Sequence, residues 1–356
     1  MKKKILISTG GSGGHVIPAT IFYEHLKKDF EVKITSDKRG IQFLDKLKYD
    51  VEIIDTPKLT KNLFLLPFKI FVIVLLIIKS LFFLKSKKID IMISTGGYMS
   101  LPLCIASKIL NIKIFLFEPN MVLGRANRLF IKFCKKIFCY SNKIKGFPIS
   151  LKHKITITQT LLRKEFYLVK PSEDFNNKIN LLIIGGSQGA VLFDTAIKDS
   201  TLKISKKYKL KVFHQANYEN YENLKNFYLK NNIESKLFDF NDNISNLISL
   251  SNICVTRAGA STLGELAFLN LPYIAIPLLF AKDNHQYENA HFYKKKGCNW
   301  VLNQNELNEF SLTNKLFNII KNKSEYLDKK KNMRNFSHQN TWNNVNQKII
   351  TIINEN

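Results

Sequence analysis

Acidic side chains are scarce in this 356-residue chain: 28 Asp and Glu stand against 54 Lys and Arg, for a formal net charge of +26. No block of like charges forms a tail, and Lys and Asn run through every segment. A compositional bias of the whole chain therefore explains the excess better than a dedicated nucleic-acid surface, and no nucleic-acid partner is expected. Cysteine is sparse too. The five present (Cys104, Cys134, Cys139, Cys254, Cys298) form no CxxC pair and no zinc spacing, and their odd number suits reduced thiols in a cytoplasmic protein. There is no Asp-x-Asp pair to hold a metal-bound diphosphate, so neither a metal nor a cofactor is expected. The opening MKKKILISTGG has too short an apolar core for a signal peptide and reads as a first strand. With 45% hydrophobic residues the chain is not disordered, and its length suits two domains.

The densest chemistry lies between Cys254 and Asn289. Ile253, Cys254 and Val255 end an apolar run of strand length. The small residues from Arg257 to Thr262 suit a sharp turn into a helix, which gains an apolar face from Leu263, Leu266 and Ala267. Unpaired amides at such a helix start, with the helix dipole, favour an anion such as a phosphate. Glu265, one turn further in, is placed to accept hydrogen bonds from a diol such as a ribose. A second apolar run, Tyr273 to Phe280, leads to Lys282-Asp-Asn-His-Gln-Tyr-Glu-Asn289, whose amide and imidazole groups suit a neutral polyhydroxylated ligand. Together these imply a nucleotide-sugar site.

Earlier in the chain, Ile5 to Thr9 is a strand running into Gly10-Gly-Ser-Gly-Gly-His15, with a helix from Pro18 to Leu26. Glycine lets that turn pass close to a phosphate or sugar. His15 falls where a strand's carboxyl end opens onto the crevice of an α/β sheet, and its side chain can act as a base at neutral pH. Glu31–Ser36 and Ile53–Ile54 read as further strands. The strand from Asp90 ends in a second glycine turn at Gly96, Gly97 and Tyr98. Another strand, Ile112 to Phe117, ends in Glu118-Pro-Asn120, where Asn120 can reach the same crevice.

Between these lies Leu63 to Leu84, apolar enough to resemble a membrane span but interrupted by Lys69, Lys79 and Pro67. A helix apolar on nearly all sides is expected to pack partly on the sheet and partly against lipid, with lysines such as Lys79, Lys85, Lys87 and Lys88 toward anionic head groups. The alternative is a fully buried crossover helix.

A polar, proline-containing stretch, residues 170–178, marks a domain boundary. Beyond it the apolar run Asn180 to Ile184 leads to Gly185-Gly-Ser187-Gln-Gly-Ala190, repeating the start of the chain. Each half begins with strand, GGS loop and helix, and each carries a later glycine turn. The expected fold class is α/β, with two Rossmann-like domains facing across a cleft. Residues 1–163 form the first and 164–336 the second, and the helical pattern of Trp342, Val345, Ile349 and Ile352 suggests that about 337–356 packs back on the first.

GGSGGH at 10–15, GGY at 96–98, GGSQGA at 185–190 and RAGASTLGE at 257–265 together resemble glycosyltransferase family 28, over residues 5 to 350. The resemblance implies a GT-B fold and an inverting transfer of N-acetylglucosamine from UDP-N-acetylglucosamine to the C4 hydroxyl of a polyprenyl-diphosphate-linked muramoyl peptide. It further implies a peripheral enzyme at the cytoplasmic face of the bacterial inner membrane. Ser187 would meet the diphosphate, and Ala260, Ser261, Thr262, Leu263 and Gly264 would line the UDP-N-acetylglucosamine site. Glu265 would meet the ribose, Gln286 and Asn289 the sugar, and the backbone near Asn241 the uracil. Ser12, Gly13, Gly14, Asn120 and Arg163 would complete the donor pocket, with Gly97 and Tyr98 on the acceptor side. His15 is the expected base, and Arg257 and the Gly259 amide would support the leaving group. The sequence departs from the family where Gln159-Thr-Leu precedes Arg163, where His285 replaces a common glutamine, and where Leu101 follows the GGY turn. Rival readings are a UDP-N-acetylglucosamine epimerase, a transferase with a diacylglycerol acceptor, and a binding protein without chemistry.

Overall fold

The structure, a computed structural model, describes residues 2–45, 47–57, 66–185, 191–239 and 243–356. Its chain divides into two compact units, Met1–Arg163 with Trp342–Asn356, and Lys164–Thr341.

The first unit is built on a parallel seven-stranded sheet: β1 (Lys4–Ser8), β2 (Glu31–Ser36), β3 (Val51–Ile53), β4 (Ile91–Ser94), β5 (Lys113–Glu118), β6 (Lys136–Cys139) and β7 (Ile155–Ile157), in the order β3-β2-β1-β4-β5-β6-β7. Central strands such as Ile5-Leu-Ile and Ile91-Met-Ile are apolar at every position because both faces are covered. Helices α1 (Gly13–Leu26), α2 (Leu66–Ser86), α3 (Leu101–Ile109) and α4 (Arg125–Phe130) connect these strands. Strand order reverses between β1 and β4. The turns after those two strands consequently emerge side by side at the carboxyl edge, the usual ligand position in an open α/β sheet.

The second unit has the parallel order β10-β9-β8-β11-β12-β13, from β8 (Lys178–Ile184), β9 (Lys209–Gln215), β10 (Glu234–Phe238), β11 (Ile253–Thr256), β12 (Tyr273–Ala275) and β13 (Asn299–Val301). Its helices are α5 (Val191–Ser205), α6 (Tyr218–Lys230), α7 (Ile244–Ser249), α8 (Ala260–Phe268), α9 (His285–Lys295), α10 (Glu309–Lys321) and α11 (Lys323–Ser337). The switch point lies between β8 and β11. The chain then returns to the first unit as α12 (Trp342–Glu355), whose Val345, Ile349 and Ile353 enter that unit's core. The return starts at Trp342 rather than near 337 because α11 runs through Ser337 and stays with the second unit. A stack of His25 on Trp342, 3.8 Å between ring centroids, and a 3.2 Å hydrogen bond from His25 to Asn346 clasp α12 to α1. Burial pushes His25 down to about 4, so the ring stacks in its neutral form.

One helix start differs from expectation. Helix α1 starts at Gly13, ahead of Pro18. Only Gly10 and Gly11 of the loop take positive φ, while Gly13 and Gly14 form the helix's first turn. The apolar stretch is partly packed and partly exposed, and is not the fully buried crossover of the alternative reading. From Leu66 to Ser86, α2 packs beside α3 and buries Ile73, Ser80 and Leu84, while Phe68, Ile70, Phe71, Val74, Leu75, Ile78 and Phe82 stay exposed.

Candidate active site

In the first unit the β1 loop meets the β4 turn through His15. The imidazole Nδ1 lies 2.9 Å from the Thr95 carbonyl oxygen, which can only accept, so Nδ1 carries the proton and Nε2 is the basic nitrogen of the neutral ring. The ring rests on the Gly96–Gly97 backbone. A Cβ on Gly96 would fall 3.2 Å from His15 Cε1, and both glycines have positive φ, so this turn admits the ring because it has no side chains. Ser12 caps α1 without a side-chain bond, and its carbonyl receives the His15 amide at 3.0 Å. Gly14 is exposed and Gly13 buried. The Tyr98 hydroxyl is shut off from solvent and has no hydrogen-bond partner among the described residues, and burial raises its pKa.

Asn120 sits at the end of β5 on a turn held by Glu118. One oxygen of that buried carboxylate accepts from the Asn120 amide (3.2 Å) and from Asn120 Nδ2 (3.0 Å). The other accepts from the Gly124 amide (2.7 Å) and from Asn127 Nδ2 (3.0 Å). Burial pushes Glu118 up against the pull of those donors. Arg163, half-buried, is the last residue before the second unit.

In the second unit α8 begins behind Gly259, a cap with extended backbone and no side-chain bond to the first turn. The amides of Ala260, Ser261 and Thr262 thus have no intrahelical acceptor and sit at the positive end of the helix dipole. Leu263 belongs to the ladder already, its amide bonded to the Gly259 carbonyl at 3.0 Å and its side chain fully buried. Leu263 and Gly264 therefore lie too deep to offer a ligand their amides. Glu265 is buried on the same helix, with 8% of its surface accessible.

The amide row expected to face a sugar is turned partly inward. Gln286 Oε1 accepts from the Ala258 amide (3.3 Å) and the Leu278 amide (3.0 Å). Asn289, 1% accessible, donates from Nδ2 to the Ala258 carbonyl at 3.1 Å. Gln286 and Asn289 together grip Ala258 and tie α9 to the β11–α8 turn. The Nδ2 of Asn289, expected at the sugar, supports this turn. Gln286, half-buried at the start of α9, keeps a place at the rim.

Arg257 is also directed inward. One guanidinium nitrogen donates to the Ile276 carbonyl (3.3 Å) and to Gln304 Oε1 (2.8 Å), and the residue is 8% accessible. Gln304 accepts from the Leu279 amide as well, at 3.3 Å, so it links Arg257 to the loop after β12. Burial lowers the Arg257 pKa. Ser187 and Asn241 lie outside the described residues. Among the described residues no group of three or more His, Cys, Asp or Glu side chains is placed to hold a metal.

Sequence reasoning passed over three residues that order these turns: Asp37, Glu118 and Gln304. Two carried a signal, since Glu118 stands in the Glu-Pro-Asn strand end and Asp37 opens Asp-Lys-Arg-Gly at the end of β2.

Two consecutive doubly wound parallel units, each with a glycine turn at its switch point, are the architecture of the GT-B fold. The glycosyltransferase family 28 N-terminal domain matches residues 5–139, and the family 28 C-terminal domain matches residues 180–345. The chain belongs to glycosyltransferase family 28. It is 57% identical, over the full length of both chains, to the UDP-N-acetylglucosamine--N-acetylmuramyl-(pentapeptide) pyrophosphoryl-undecaprenol N-acetylglucosamine transferase of Pelagibacter ubique. It is 36% identical to the transferase of the same name from Rickettsia canadensis, over 90% of this chain and 91% of that one. Among solved structures, Acinetobacter baumannii MurG matches all of both chains with a TM-score of 0.78 at 23% identity. A Neisseria meningitidis UDP-GlcNAc 2-epimerase bound to UDP-GlcNAc matches 99% of this chain and 100% of its own with a TM-score of 0.66 at 14% identity. At those identities the two structures speak for the fold alone.

Proposed function

We propose that the enzyme moves N-acetylglucosamine from UDP-N-acetylglucosamine to the C4 hydroxyl of a polyprenyl-diphosphate-linked muramoyl peptide, in a single displacement that inverts the anomeric carbon. The observation that carries this reading is the full-length 57% identity to a transferase of that name.

His15 is the base. With Nδ1–H held by Thr95, Nε2 takes the proton of the acceptor hydroxyl as that oxygen bonds to the anomeric carbon. General base catalysis of this kind contributes about 10²–10⁴-fold. As the bond to the diphosphate oxygen breaks, charge grows on UDP. The unpaired amides of Ala260, Ser261 and Thr262 and the α8 dipole receive it, with Ser187 in support. Glu265 serves the ribose, Gln286 the sugar, and the backbone near Asn241 the uracil. Ser12, Gly13, Gly14, Asn120 and Arg163 contribute from the first unit, and Gly97 and Tyr98 serve the acceptor. Arg257 contributes field from behind the turn.

The enzyme works peripherally, at the cytoplasmic face of the bacterial inner membrane. The exposed apolar face of α2, flanked by exposed Lys79, Lys85, Lys87 and Lys88, supports this placement.

Incubating the protein with UDP-N-acetylglucosamine, with and without the lipid-linked acceptor, tests the reading. Sugar transfer that requires the acceptor is expected. Epimerised UDP-sugar formed without acceptor would replace the transferase by the epimerase reading.

A further inference from the structure

We propose that Asp37 is a positioning residue for sugar transfer: its buried carboxylate moulds the Gly10–Gly14 loop and thereby sets the place of His15. The inference rests on the reading of His15 as the base.

Asp37 follows β2 directly and is fully buried. Its Oδ1 accepts from the Gly11 and Gly40 amides, each at 2.8 Å. Its Oδ2 accepts from Arg39 Nε at 2.8 Å and from the Arg39 terminal nitrogen at 2.5 Å. Four donors on one buried carboxylate make a strong, charge-assisted clamp. Burial disfavours the charged form, but the two amides and Arg39 outweigh it and hold the group below the usual carboxylate range.

The backbone is shaped to this clamp. A Cβ on Gly10 would fall 2.6 Å from Asp37 Oδ1 and 2.7 Å from the Met99 side chain, and a Cβ on Gly40 would fall 2.8 Å from Gly10 Cα. The β1 loop, the β2 exit turn and Met99 beside Tyr98 thus close on the carboxylate, at distances that only glycine permits. From Gly11 the chain runs one residue to Ser12, whose carbonyl receives the His15 amide. Asp37 has no place in the chemistry itself. It fixes the end of α1 from which the base projects.

The test is a double-mutant cycle between Asp37→Asn and His15→Ala, with kcat for transfer and the Kd of UDP-N-acetylglucosamine measured for every variant. Misplacing a catalytic group by about 1 Å costs on the order of 10²-fold, so Asp37→Asn should lower kcat about 10- to 100-fold in the otherwise native enzyme, with donor Kd reporting separately on the Ser12–Gly14 contacts of the same loop. In the His15→Ala background the same change should cost almost nothing, because no base remains to be placed. An equal loss in both backgrounds, or an unchanged kcat in the single variant, overturns the proposal. If Asp37→Asn does not fold, Arg39→Met removes the half-exposed side of the clamp. A loss of about 3- to 10-fold that vanishes in the His15→Ala background is then expected, and an equal loss in both backgrounds overturns the proposal. If the native enzyme transfers no sugar, it is the transferase reading that fails. If His15→Ala alone is fully active, the base assignment and this inference fall together.

Discussion

At the scale of single residues, the role of each polar group depends on what it is bonded to. His15 is held by one nitrogen to a backbone carbonyl and laid on a glycine turn that leaves space for its ring. Replacing it with Ala should lower turnover by about 10²–10⁴-fold and leave donor affinity within about 2-fold. Titration calorimetry with UDP-N-acetylglucosamine beside a transfer assay checks both, and near-normal turnover with intact donor binding would remove the base role. Residue types at the site were legible in the sequence, but their directions were not. Gln286 and Asn289 read as one row of sugar-facing amides. Which amide faces outward depends on the α9 register and on the Ala258 amide and carbonyl that take up Gln286 and Asn289, and neither is encoded in spacing. Asp37 was missed for a related reason, since a carboxylate after a strand looks like an ordinary turn residue until the glycines packed on it are seen.

At the scale of elements, periodicity located strands and helices well and their ends less well. Glu31–Ser36 is the strand expected, whereas α1 starts inside the glycine loop because Gly13 and Gly14 adopt helical backbone. Composition left two readings for α2, and packing decided between them: α3 covers one side while a row of large apolar side chains stays exposed. Burying one such side chain is worth about 1.5–3 kcal/mol, against about 1 kcal/mol for each lysine near an anionic surface. If the proposed peripheral placement holds, the apolar face should dominate the binding. Changing both Phe71 and Ile78 to Ser should weaken binding to anionic phospholipid vesicles by about 10²-fold, while turnover of a water-soluble acceptor analogue stays the same. Vesicle co-sedimentation checks this, and undiminished binding would assign lipid contact elsewhere.

At the scale of the whole molecule, the repeat of strand, GGS loop and helix in both halves was the most informative feature of the sequence. A doubled Rossmann-like chain follows from it, and two parallel sheets with matching switch points are found. The net charge of +26 told less, because lysine is spread over the chain without forming a block. The return of α12 to the first unit was legible from the spacing of Val345 and Ile349, although its start was set by the length of α11. What the molecule does with its sugar is tested most directly at the anomeric carbon. The donor carries N-acetylglucosamine in the α configuration, so a single displacement must deliver it as the β anomer. Proton NMR of the isolated product reads the linkage from its anomeric coupling: a β-linked N-acetylglucosamine is predicted, and an α-linked product would contradict the account.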